Sequence, residues 1–123
     1  MKLSEAIRLG AMLRPQTKVG YFVNKGSCAI GAAAEAVEAS GFDRVGSSWR
    51  VVRLVADRWP WLMRIDLRSY VACTLTQQSR HDQIAHLNDG HGWTRERIAD
   101  WVATIETQET AEPVKAETVA VRV

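Results

Sequence analysis

A chain of 123 residues with 46% hydrophobic and 24% charged residues fits one ordinary domain and is too apolar to be wholly disordered. Its 16 Lys and Arg against 14 Asp and Glu give a formal charge of +2, mildly basic and far from a histone-like polycation. No stretch reaches the roughly 18 apolar residues of a membrane helix, and Glu5 and Arg8 interrupt the N-terminal segment where a signal peptide is continuously apolar, so a cytoplasmic protein is expected.

The first helix is predicted over 4–13, capped by Ser4, with Leu3, Ala6, Ile7, Gly10 and Leu13 on one face. Arg14 before Pro15 stops it. Residues 19–23 suit a brief strand and 24–27 a turn. A second helix is predicted over 28–40, with Ser27 as N-cap and Gly41 past its end. Ile30, Ala33, Ala34 and Val37 line one side, and Gly31 and Ala32 permit close approach of another backbone. The glycines here lack the Lys-Ser/Thr of a phosphate loop, so tight helix packing explains them better.

Ser47 or Ser48 caps a third predicted helix over 49–59, with Trp49, Val52, Leu54 or Val55, Ala56 and Trp59 as its stripe and Pro60 as its stop. From 65 to 76 the apolar residues alternate, which favours a strand or hairpin. A short helix follows over 82–88, then a turn at 88–92. Thr94 caps a last helix over 95–106, with Ile98, Trp101, Val102 and Ile105 inward and Trp93 and Ile98 as a hydrophobic staple. The expected architecture is mainly α: one domain of about five helices over 1–107 and a flexible or extended tail over 108–123.

Five of the nine aromatic residues are Trp, namely Trp49, Trp59, Trp61, Trp93 and Trp101. Most are expected in the core, since a small domain needs large apolar groups to bury. The two cysteines, Cys28 and Cys73, form no CxxC and read as buried thiols. Cys73, His81, His86 and His91 are the candidate metal ligands, but their spacing follows no known zinc rhythm and Thr76 stands where a second thiol belongs. No bound metal and no cofactor is therefore expected.

The segment HLNDGHGWTRERIADWV (86–102) resembles one found in small proteins of bacteria and tailed phages, and SEAIRLGAMLRPQ and GSCAIGAAAEA resemble their N-terminal parts. The resemblance spans 3–105 and carries no activity to transfer. It implies a phage-related accessory or regulatory protein. Some relatives place a Cys-Pro-x-Cys knuckle before the shared segment, where this chain has CTLT (73–76), so a third alternative is a module derived from a zinc knuckle.

Residues 82–88 and 95–106 have helix-turn-helix proportions, although a plain αα-hairpin gives the same outline and Glu96 and Asp100 have the wrong sign for phosphates. Residues 1–97 carry 14 Lys and Arg against 9 Asp and Glu, a net +5, and residues 98–123 carry 2 against 5, a net −3. The basic body and its arginines favour nucleic acid as partner. Candidate contacts are Arg50, Arg53, Arg58, Arg64, Arg68, Arg95, Arg97 and Trp61. The alternative is a host or phage protein, bound by an inhibitor or adaptor through Trp and Arg. Nothing matches GxSxG, HExxH, a P-loop or GxGxxG, so no enzyme is expected. Cys28 at a helix start lacks a neighbouring base in sequence.

Overall fold

A Gly- and Ala-rich helix sits at the centre, with three other helices packed against it. The computed structural model describes residues 1–38, 48–65 and 79–111, with side chains to 107. Among these are five α-helices: α1 (Leu3–Ala11), α2 (Ala29–Val37), α3 (Ser48–Arg58), α4 (Arg80–Asp89) and α5 (Arg95–Ala111). A 3-10 helix spans Pro60–Met63, and two short strands, β1 (Phe22–Val23) and β2 (Gly26–Ser27), form a hairpin. The mainly α architecture expected from the sequence is the one observed. The strand proposed at 65–76 lies outside the described residues except for Ile65, which makes an antiparallel bridge to Ser79. Helix α5 continues past the boundary set at 107, and residues beyond 111 are outside the described part.

In α2, Ala29 to Ala34 are all buried, the pattern of a helix with neighbours on every side. Its small residues set the distances. A Cβ on Gly10 of α1 would stand 1.8 Å from the Ala32 carbonyl oxygen, and one on Gly31 would stand 2.3 Å from that of Tyr21. Only glycine permits these two approaches. The cap of α2 is Cys28, whose Sγ accepts from the Gly31 N–H at 3.4 Å. Ser27, the expected cap, is committed to β2, where it pairs with Phe22. The hairpin turn places Asn24 and Lys25 at φ +51° and +67°, the two left-handed residues of a type I′ turn.

Helix α1 starts one residue earlier than expected, with Lys2 at its cap and the Lys2 N–H bonded to Glu5 Oε1 at 2.9 Å. Ser4 is therefore inside the helix and buried. Its N–H and hydroxyl donate to the Glu106 carboxylate of α5 at 3.1 and 2.6 Å. Leu3, Ala6, Ile7 and Gly10 are buried as the stripe requires, whereas Leu13 lies past the helix end and is exposed.

In α3 the buried residues are Val51 and Val55, continued by Trp59 and Leu62. Trp49 is not part of this stripe. Two residues from Val51, it points about 200° away around the helix, and it is 62% exposed. Of the five Trp, only Trp59 is buried, its indole N–H donating to the Met1 carbonyl at 3.1 Å. Trp61, Trp93 and Trp101 are half-buried against the core.

The last two helices bury polar residues that the hydrophobic pattern hid. In α4 the inward positions are Arg80, Gln83, Ile84, Leu87 and Asn88, at i, i+3, i+4, i+7 and i+8. In α5 they are Arg95, Ile98, Ala99, Val102 and Ile105. Trp101 falls on the flank of that stripe rather than at its centre, so it is half-buried, with the Arg80 guanidinium 5.7 Å from its ring centroid. Thr94 caps α5 as expected, its hydroxyl accepting from the Arg97 N–H at 3.1 Å.

Candidate functional site

Helix α3 carries three of the seven arginines singled out from the sequence, and a fourth follows the 3-10 helix. Arg50, Arg53 and Arg58 are exposed on α3, and Arg64 follows the 3-10 helix, also exposed. The Arg53 guanidinium lies 5.6 Å from the Trp49 ring centroid, an i,i+4 cation–π pair on the solvent face. Beside them a shallow groove of about 360 Å³ is lined by Glu38, Trp49, Arg50, Arg53, Leu54 and Asp57. Arg50 Nη2 is 4.0 Å from Glu38 Oε2, a loose ion pair from α3 to the end of α2. Two arginines and two carboxylates thus balance around an exposed indole. Beyond Pro60, Trp61 is half-buried, while Met63 and Ile65 are 38% and 57% exposed.

The other expected contacts fall elsewhere. Arg95 is not on the surface: it is 6% exposed because it opens the buried stripe of α5. Its Nη1 donates to the Ser27 hydroxyl at 3.0 Å, and its Nη2 to the carbonyls of Ala11 and Arg14 at 3.2 and 2.8 Å. Burial draws its pKa below the ordinary guanidinium value, and neighbouring Glu96 partly offsets this. Arg97 is exposed and stacks on Trp93 at 3.8 Å. Arg68 and Cys73 lie outside the described residues.

A second cavity, of about 170 Å³, is lined by Gly20, Tyr21, Cys28, Ile30, Ser48, His81, Ala85 and Asp89. The Tyr21 hydroxyl is 2.9 Å from His81 Nε2, and His81 Nδ1 is 3.1 Å from the Asp82 carboxylate. This chain has the connectivity of a proton relay, but its acids are not activated. Burial pushes the Cys28 thiol up to about 11 and the Tyr21 hydroxyl to about 12, and both are protonated at neutral pH. No signal in the sequence joined Tyr21 to His81, since the contact crosses 60 positions.

The candidate metal ligands do not assemble as a set. His81 faces Tyr21, whereas His86 and His91 meet each other, with Nε2 atoms 3.1 Å apart. Among the described residues, no three His, Cys, Asp or Glu side chains converge as ligands for one ion.

Sequence reasoning missed the polar residues that fix the loop between α1 and β1. Asn88 Oδ1 accepts from Gln16 Nε2 at 2.9 Å and from the Ala29 N–H at 3.2 Å, while its Nδ2 donates to the Thr17 carbonyl at 2.8 Å. Arg14 makes a bidentate pair with Glu35 at 2.7 and 2.6 Å. These contacts hold the scaffold, whereas Trp49, Arg53 and Arg58 of α3 are exposed. No described helix is long and apolar enough to cross a membrane. Compared with protein-family models, curated proteins and solved structures, the chain finds no match.

Proposed function

We propose that this is a non-catalytic accessory or regulatory protein that binds another protein through the face of α3 and the 3-10 helix. The observation that carries the reading is Trp49, a large indole 62% exposed on a well-formed helix and backed by Arg53. Trp, Arg and Met are enriched at the centres of protein interfaces, and Met63 and Ile65, after α3 in the chain, are also exposed. The groove beside Trp49 carries both signs of charge, which suits a protein surface better than a polyphosphate. The protonated Cys28 and Tyr21 fit a role without covalent chemistry. An inhibitor or adaptor acting on a host or phage protein is the form this binding would take.

Nucleic acid is the second reading. Between 48 and 65 lie Arg50, Arg53, Arg58 and Arg64 against Asp57 alone, a local net of +3. An exposed indole can also stack on a base.

One experiment separates the two. The chain is immobilised and used to capture ligands from host lysate, with and without nuclease, beside a Trp49→Ala/Arg53→Ala variant. A protein captured equally after nuclease treatment and lost with the variant supports the first reading. Capture abolished by nuclease, with a steep loss of affinity in salt, replaces it with the second. Capture unaffected by the double substitution overturns both as readings of this face.

A further inference from the structure

We infer that His86 and His91 form an exchangeable two-imidazole site for a borderline divalent transition ion such as Zn²⁺ or Ni²⁺. His86 lies in the last turn of α4, which Gly90 closes in the αR region, and His91, one residue further on, sets its ring against that of His86. The ring centroids are 4.8 Å apart with planes at 71°, and the Nε2 atoms are 3.1 Å apart.

That separation is the one a chelated ion needs. Two nitrogens each about 2.0–2.1 Å from one ion lie about 2.9 Å apart at a right angle and about 3.3 Å apart at the tetrahedral angle. The observed value falls between them, so the two nitrogens already stand at the separation of a chelated pair. A Cβ on Gly90 would stand 3.0 Å from the His86 carbonyl oxygen and 3.3 Å from its Nδ1 and Cε1, so a glycine here leaves the His86 ring in place. Imidazole nitrogen suits zinc, nickel and copper better than calcium or magnesium.

In the metal-free pair, one Nε2 carries the hydrogen that the other accepts. On binding, that ring shifts its proton to its own Nδ1 through solvent. Both Nε2 lone pairs then face the ion and no net proton is released. Asp89 does not complete the set: its carboxylate accepts from the Val19 N–H and from Asn88 Nδ2. Water fills the remaining positions, so the site is weaker than a four-ligand structural zinc and is distinct from the knuckle of the resembling proteins.

The test is calorimetric titration of the untagged full chain with ZnCl₂ and with NiCl₂, beside His86→Ala, His91→Ala and His81→Ala. The expected result is saturation near roughly one ion per chain, weakened about tenfold or more by either of the first two substitutions and unchanged by the third. His91 is in an exposed turn, so its variant keeps the fold, as circular dichroism would verify. No binding up to about 1 mM ion overturns the inference. So does affinity that survives in both His86→Ala and His91→Ala.

Discussion

Cys28 couples the fold to alkaline pH. Its Sγ caps α2 and its side chain is buried, so folding moves the thiol pKa from 9.0 to about 11. The folded state then keeps a proton that the unfolded state loses. The stability linked to this group is full below about pH 9 and drains away as pH rises toward 11, an effect on the order of 2 kcal/mol. Tyr21, raised from 10.0 to about 12, adds a smaller contribution of the same sign because it is only half-buried. Urea midpoints should therefore fall steadily above pH 9. Cys28→Ser, which keeps a capping oxygen and does not titrate, should make that fall shallower. The sequence placed Cys28 at the start of α2, where a helix dipole lowers a thiol pKa. Burial opposes the dipole and is the larger effect, and burial is what a single sequence reports least well.

Helix α5 shows why some stripes were legible and others were not. Its inward positions are 95, 98, 99, 102 and 105, an unbroken helical series. Apolar residues marked 98, 102 and 105, so those were read correctly. Position 95 is an arginine, a residue type that reads as surface, and without it the apolar stripe centres too near Trp101. Helix α4 was masked in the same way by Arg80, Gln83 and Asn88, and its start was read two residues late. Trp49 misleads for the opposite reason, since an apolar residue reads as inward and this one is exposed. The order of effects in α5 follows from these placements. Ile98→Ala, at a fully buried site, should cost about 3–4 kcal/mol, and Arg95→Ala about 2–4 because it strips the donor from several carbonyl and hydroxyl oxygens. Trp101→Ala, on the flank, should cost less than either. Thermal melts of the three variants check the order, and a Trp101→Ala loss equal to that of Ile98→Ala would return the indole to the core.

For the molecule as a whole, the sequence disclosed the helical class, the order of the helices and the close approach at Gly31 and Ala32. Those features are local, set by period, caps and residue size. The α3 groove, the Tyr21–His81 contact and the His86–His91 pair were not legible as sites, because each depends on side chains meeting in space. The packing of α2 has one more consequence, for the order in which the protein opens. Its residues from Ala29 to Ala34 touch neighbours on all sides, and Gly10 and Gly31 leave no slack for partial separation. The amide hydrogens of α2 can then reach solvent only when the entire chain unfolds, while amides near the end of α5 exchange through local fraying. Native-state hydrogen exchange should find the slowest protons between Ala32 and Val37, with protection equal to the global unfolding free energy. A mild denaturant series would test this directly: those amides should respond with the full slope of global unfolding from the first addition. A helix built of the smallest side chains would be the last part of the molecule to let water in.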